Sequence, residues 1–260
     1  MESAIITGTG IYEIPGFQFN EQVIDTPYGQ AAVYLGKSDG FELAFLPRHG
    51  LAHSTPPHKI NFRANIKALK ILGVKFILAT NAVGSINPKV PPMSLALLSD
   101  FLDFTSGRKF TFFEGGESGL AHTNMDHPYC PSLSQHLLDI APKYDLSIYP
   151  EATYVATNGP RFESPAEIKM YDRLGGDVVG MTGIPEVVLA KELGMHYASI
   201  AYSINWAAGI EEEMIFVSHE MQDIRQRLAF LLVEALRSFK EPDCNCENAV
   251  MMMHSPKPDA

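Results

Sequence analysis

Nowhere does the sequence approach the roughly 18–20 consecutive apolar residues of a membrane-spanning helix, so no such span is expected. Cysteine is scarce: Cys130, Cys244 and Cys246 are all there are, and three cannot build a disulfide framework. Cys244 and Cys246 form a C-x-C pair in a polar tail with no partner ligands beside them. A solvated tail is therefore expected there in preference to half of a metal site. Basic charge is also short. With 20 Lys and Arg against 30 Asp and Glu, the formal net charge is −10, which argues against nucleic acid or an anionic membrane as a partner. An anionic small substrate would need a local cradle. The opening MESAIITGTG has neither the basic flank nor the cleavage site of a signal peptide, and with so little cysteine a reducing, cytoplasmic location is expected.

The apolar content is sufficient, at 46% of 260 residues, for one sizeable core or at most two small ones. Strand-like runs alternate with helical patterns along most of the length. SAIITG, ELAFLP, VKFILAT, LALLSDFLDFT, EATYVAT, DVVGM and HYASIAYSI read as strands, being short and apolar. NFRANIKALKILG has helical spacing through Phe62, Ile66, Leu69 and Leu72 and stops on Gly73. SLSQHLLDIAPKY, SPAEIKMYDRLG, IPEVVLAKELG and SHEMQDIRQRLAFLLVEALRSF also read as helices. The second of these opens on a Ser/Glu capping pattern, and the last has Ser218 as its expected N-cap. The alternation predicts an α/β fold, a three-layer sandwich with a central twisted sheet flanked by helices. Residues 1–240 are expected as a single domain, and residues 241–260, where periodicity ends, as a disordered tail.

Ligands in such folds gather where strands end and helices begin. Four segments at these places stand out. Thr7 to Gly10, TGTG, is a turn whose backbone can approach a ligand, with the Thr9 hydroxyl as donor. PRHGLAHSTPPHKINFRAN, residues 47–65, concentrates Arg48, His49, His53, His58, Lys59 and Arg63 in an otherwise acidic protein. Arg48 beside His49 offers a planar fork and a ring N–H suited to phosphate. The histidine spacing matches no usual zinc pattern, so no metal is expected there. Lys59 and Arg63 read as a solvated or partner-facing surface. ATNAVGSI, residues 79–86, offers the Ala82 N–H and the Asn81 side chain as parts of an anion nest. The fourth segment runs from TNGPRFESPAEI through GMTGIPEVVLAKELG to Asn205. Phe162 beside Glu163 suits a flat aromatic ligand, and Met181 and Thr182 precede a helix whose N–H groups favour an anion. Taken singly, Phe162 and Met181 read as ordinary core.

GTG, RHG…H, NFRANIKALK, NAVGS, GPRFE, and MTGIPEVVLAKELG followed by YASIA occur here in one order. Over roughly residues 4–240 the chain thereby resembles the trimeric purine nucleoside phosphorylases, most closely the 5′-methylthioadenosine and 5′-methylthioinosine phosphorylase branch. The resemblance implies a nucleoside phosphorylase-like mixed sheet, a homotrimer, and cleavage of a purine nucleoside by phosphate in purine salvage. The products would be free base and ribose 1-phosphate. It implies no cofactor and no metal, inorganic phosphate being a co-substrate. It further implies phosphate binding by Thr9, Arg48, His49, Asn81, Ala82 and Thr182, and ribose contacts from Met181 and His53. A neighbouring subunit's segment near His127–Tyr129 is expected at the sugar. Phe162 would stack on the base, and Glu163, Asn205 and His49 would carry the chemistry.

The base-reading positions depart from the adenine-type members, which have an aspartate in place of Asn205, a second acid two residues later and a serine in place of Glu163. This chain has Asn205, Ala207 and Glu163, as the 6-oxopurine enzymes pair an asparagine with a glutamate. An ionised Glu163 accepts from the N1–H of hypoxanthine or guanine, while Asn205 donates to O6 and accepts from the protonating N7. Adenine inverts this pattern, and each unpaired buried polar group costs about 1–3 kcal/mol. A 6-oxopurine substrate is therefore expected. At the 5′ end His219 would meet a hydroxyl, whereas MIFV, Met214 to Val217, would line an apolar pocket for a methylthio group, and both readings stay open. GIEEEMIFV reads as a mobile lid. The alternatives are a 5′-methylthioadenosine phosphorylase, a hydrolase using water in place of phosphate, and a non-catalytic purine-binding protein.

Overall fold

The computed structural model describes residues 1–217, 219–240 and 242–254. In chain order the elements are strands β1 (Ser3–Thr7), β2 (Phe19–Thr26), β3 (Gly29–Ser38) and β4 (Phe41–Pro47), then helix α1 (Phe62–Ile71). β5 (Phe76–Ser85), β6 (Leu95–Asp103), β7 (Leu120–Thr123), α2 (Pro131–Ile140), β8 (Ile148–Ala156) and α3 (Pro165–Arg173) follow. The chain continues through β9 (Val178–Gly180), α4 (Glu186–Glu192), β10 (His196–Trp206), α5 (Gln222–Ser238) and β11 (Val250–His254). None of the described helices is long and apolar enough to cross a membrane.

Nine strands form one mixed sheet in the order β10-β6-β8-β9-β5-β1-β4-β3-β2, and β10 pairs with β5 as well. The extra pairing closes β5, β9, β8, β6 and β10 into a ring, so half of the expected open sheet is a small barrel. β10 can serve two neighbours because it is buried along almost its whole length. Helices cover both faces. Phe62, Ile66 and Leu69 of α1 and Val187, Leu189 and Ala190 of α4 fill one apolar cluster. Leu133 and Leu137 of α2 and Leu228, Leu231 and Leu232 of α5 fill the other. The three-layer expectation therefore describes the chain. The β2–β3 hairpin was not foreseen from the sequence: β2 is an edge strand, mostly exposed, and lacks the apolar run that marks a buried strand.

Two expectations at the C-terminal end are corrected. Ser218 lies outside the described residues; the last helix starts at Gln222, with Met221 at its N-cap and no side-chain cap. His219 sits in the preceding turn, where its carbonyl accepts from the Gln222 N–H at 3.1 Å. The tail is not structureless over residues 242–254. It turns through a short 3-10 helix at Cys246–Asn248 and then pairs β11 antiparallel with β7. Cys244 and Cys246, expected to lack partners, lie against Cys130 and His196. Sequence adjacency hid this, because the partners stand 114 and 48 positions from Cys244.

The capping pattern before α3 is realised in full. The Ser164 hydroxyl accepts from the Glu167 N–H at 3.2 Å, and the Glu167 carboxylate accepts from the Ser164 N–H at 2.7 Å. Ser164→Ala should cost about 1 kcal/mol, a fall in Tm of roughly 2–4 °C for a chain of this size, measured by thermal unfolding.

Candidate active site

A cleft of about 730 Å³ opens where β5 passes from one neighbour to the next. On that edge β5 pairs with β1 only as far as Ala79 and with β9 only from Gly84, so residues 80–83 face a gap in the sheet. Of the expected site residues, Thr9, His49, His53, Ala82, Phe162, Glu163, Met181, Thr182 and Asn205 line this cleft. Arg48 and Asn81 are buried beside lining residues but do not line it themselves. His219 is exposed and lies outside it, whereas Met214 and Phe216 of the expected lid are in its wall.

Arg48 commits three of its five N–H groups to the protein itself. Its Nε and one terminal nitrogen donate to the two oxygens of Glu186 at 2.6 and 2.7 Å, and the other terminal nitrogen donates to the Thr80 carbonyl at 2.6 Å. The Tyr197 hydroxyl donates to the same carboxylate at 2.7 Å. Neither charged side chain is exposed at all. Burial alone would pull the Arg48 pKa down; the Glu186 carboxylate outweighs it, and the guanidinium stays charged. The pair is electrically neutral as a unit, so the cleft receives less positive field than an isolated arginine would give. Glu186 was read in the sequence only as part of a helix.

The start of α4 also differs from the expectation. The Tyr154 hydroxyl accepts from the N–H groups of both Thr182 and Gly183, at 3.1 and 3.2 Å. Those donors were expected to hold an anion and are already bonded. Glycine is required at Gly180 and Gly183 because a Cβ would meet Tyr154 at 2.5 and 2.9 Å. The Thr182 hydroxyl donates to Asn81 Oδ1 at 3.1 Å, and Asn81 Nδ2 donates to Ser199 at 2.8 Å. Asn81 therefore braces Thr182 against β10.

Arg108, passed over in the sequence, joins the loop after β8 to the loop after β9. It donates to the carbonyls of Thr157, Asn158 and Met181 at 3.1, 3.1 and 2.8 Å, and also to that of Ile184. Met181 in turn occupies the space a side chain at Gly159 would need.

The histidine environment fixes a tautomer. His49 Nδ1 lies 2.7 Å from the Thr55 carbonyl, which can only accept, so Nδ1 carries the proton and Nε2 presents a lone pair. Burial holds the His49 pKa below the usual histidine value; the Thr55 carbonyl opposes this, while Arg48 and His53 reinforce it. His53 sits next to it, ring centroids 4.7 Å apart, with Nδ1 bonded to the Tyr12 hydroxyl at 3.1 Å.

Glu163 and Asn205 are both anchored at one end and open at the other. Thr157 donates its hydroxyl to Glu163 Oε1 at 2.6 Å. Asn205 Nδ2 donates to the Trp206 carbonyl at 2.7 Å, which fixes the orientation of the amide because a carbonyl cannot donate. One N–H and Oδ1 remain for a ligand. A bulge in β10 aims them: Ser203 pairs with Val83 but Asn205 pairs with Gly84, leaving Ile204 as the extra residue. Phe162 is half exposed and its ring lies 5.8 Å from that of Phe216, so the two aromatics stand side by side in the cleft wall.

Replacing Glu186 by Gln would leave a buried guanidinium without its counter-charge. A loss of roughly 3–5 kcal/mol is expected in urea unfolding, with a smaller loss for the apolar pair Arg48→Met/Glu186→Leu.

Against known proteins, the model of the phosphorylase superfamily matches residues 2–237. The chain is 47% identical to a probable 6-oxopurine nucleoside phosphorylase of Moorella thermoacetica, over 96% of this chain and 98% of the relative. It is 44% identical to the 6-oxopurine nucleoside phosphorylase of Pyrococcus furiosus (95% and 97% covered). It is likewise 44% identical to a probable S-methyl-5′-thioinosine phosphorylase of Methanocaldococcus jannaschii (95% and 96%). Among solved structures, methylthioadenosine phosphorylase from Schistosoma mansoni with adenine superposes with a TM-score of 0.85 at 30% identity, covering 92% of this chain and 93% of that one. With a cleft of the expected composition at the gap in its sheet and a match over nearly all its length, the chain belongs to the phosphorylase superfamily.

Proposed function

We propose that the protein cleaves the N-glycosidic bond of 6-oxopurine nucleosides with inorganic phosphate, releasing the free base and a ribose 1-phosphate. The observation that carries the reading is the pair Glu163 and Asn205, both lining the cleft and each held so that its ligand-facing atoms are determined. Glu163 has one oxygen left to accept from N1–H. Asn205 has one N–H left for O6 and Oδ1 for the proton gained at N7. The relatives named for 6-oxopurine and methylthioinosine substrates agree with this pattern.

In the reaction a phosphate oxygen forms a bond to the anomeric carbon as the bond to N9 breaks. The electron pair leaves with the base, and N7 takes a proton from solvent, matched by the one that the phosphate gives up as its monoester forms. The departing base is stabilised by the Asn205 acceptor, and the cationic sugar by the anion beneath it. Phosphate binding falls to Thr9, His49 and Ala82, with Arg48, Asn81 and Thr182, whose N–H and hydroxyl are bonded to Tyr154 and Asn81, acting from behind. Phe162 faces the base, and Met181 and His53 the ribose. Met214 and Phe216 in the cleft wall, with His219 outside it, favour an apolar 5′ group, hence 5′-methylthioinosine beside inosine and guanosine. A homotrimer in a reducing cytoplasm belongs to the same proposal, and a single sedimenting species of monomer mass would contradict it.

Rates with inosine, guanosine, 5′-methylthioinosine and 5′-methylthioadenosine should favour a 6-oxopurine; a preference for the adenine substrate over both inosine types would overturn the reading. Turnover should stop when phosphate is removed, and a hydrolase would continue. Asn205→Asp should shift the ratio of 6-oxo to 6-amino turnover by roughly 10- to 100-fold toward adenine, the effect of one mispaired buried group; an unmoved ratio would show that Asn205 does not read the base.

The neutral cradle makes phosphate binding pH-dependent. A dianion beside Nε2 raises the His49 pKa, so binding takes up a proton. Between the lowered pKa of the free ring and the raised pKa of the complex, the KM for phosphate, expressed as the concentration of its dianion, should climb by about tenfold per pH unit. His49→Gln should flatten that rise; an identical slope in the variant would assign the proton elsewhere.

A further inference from the structure

We propose that Cys130, His196, Cys244 and Cys246 form a tetrahedral zinc site that fastens the C-terminal segment to the sheet. Their ligand atoms all lie within 4.8 Å of one another. Cys244 Sγ is 3.5 Å from both Cys130 Sγ and Cys246 Sγ, and His196 Nδ1 is 3.5 Å from Cys130 and 3.3 Å from Cys244. Zn–S and Zn–N bonds of about 2.3 and 2.0 Å place tetrahedral ligands roughly 3.6–3.8 Å apart, close to this spacing. The donor set of three cysteines and one histidine is a closed structural set for zinc, and its softness disfavours magnesium or calcium.

The surroundings fit a metal better than a stray cluster of thiols. Cys130, Cys246 and His196 are at least nine-tenths buried. His196 turns Nδ1 to the sulfurs, while Nε2 is buried without a hydrogen-bond partner and lies 3.8 Å from a Glu247 oxygen. A small closing movement would bring that carboxylate onto the far ring N–H, the hydrogen bond that orients a metal-bound imidazole. Three thiolates with Zn²⁺ carry one negative charge, and Lys191 lines the same cavity as Cys244 and Cys246. Lys191 also donates to the His127 carbonyl, which ties the loop before α2 to the site.

The four ligands come from three places: the N-cap of α2, the first residue of β10 and the segment after α5. Zinc would therefore join the tail, and with it the β7–β11 pair, to the core. His196 and Asn205 stand at opposite ends of β10, about 30 Å apart along an extended strand. The ion has no part in the proposed reaction, and the proposal does not rest on that reaction.

The test uses the full chain, expressed in zinc-containing medium and purified under reducing conditions without a metal-affinity column. Elemental analysis should find about one zinc per chain. After removal by chelator, cobalt(II) should restore a thiolate charge-transfer band and the intense visible bands of a tetrahedral site. Zinc should raise Tm by roughly 5–15 °C, with turnover per folded enzyme at low temperature unchanged. Cys244→Ser/Cys246→Ser should lose both the metal and the stabilisation; Cys130→Ser, which leaves the tail intact, serves as a second variant. Wild-type chain that binds no zinc after full reduction, or keeps it in the double variant, overturns the proposal. So would cysteines paired as a disulfide in the reduced preparation, or iron as the resident metal.

Discussion

The buried pair of Arg48 and Glu186 is the interaction around which the site is assembled. It joins the loop after β4 to the first turn of α4, while Thr80 on β5 and Tyr197 on β10 supply its remaining partners. Removing both charges from water is costly, and only the complete arrangement offsets that cost. The four elements are therefore held to one geometry, and the gap they surround is the cleft. A charge that looks in sequence like a substrate ligand is first of all a keystone of the scaffold.

The same economy of partners recurs around the rim. Tyr154 closes off two backbone donors, Asn81 holds Thr182, and Arg108 binds the carbonyls of two loops. These bonds leave few formal charges facing the cleft from the phosphate end. On the proposed reading the anion meets the Thr9 hydroxyl and a neutral imidazole, so that proton uptake, not a fixed cation, accompanies binding.

Much of this was legible from the sequence. Alternating strand and helix patterns marked the layers, and nine of the named site residues converge on one cleft. What escaped notice has a common cause. Glu186, Tyr154 and Arg108 act through contacts between distant segments, and nothing in their local pattern separates them from helix, strand or loop. The β2–β3 hairpin lies at an exposed edge and lacks an apolar signature. The closure of the barrel depends on β10 pairing twice, which no single strand reveals. The cysteine pair in the tail was read from its neighbours in sequence, whereas its neighbours in space are Cys130 and His196.

The bulge in β10 makes the side chain presented to the cleft depend on a count of residues as well as on a letter. Because Ile204 is the extra residue between the partners of Val83 and Gly84, β10 bends there, and a single deletion just before Asn205 would straighten the strand and carry the amide away from the cleft wall that it now lines.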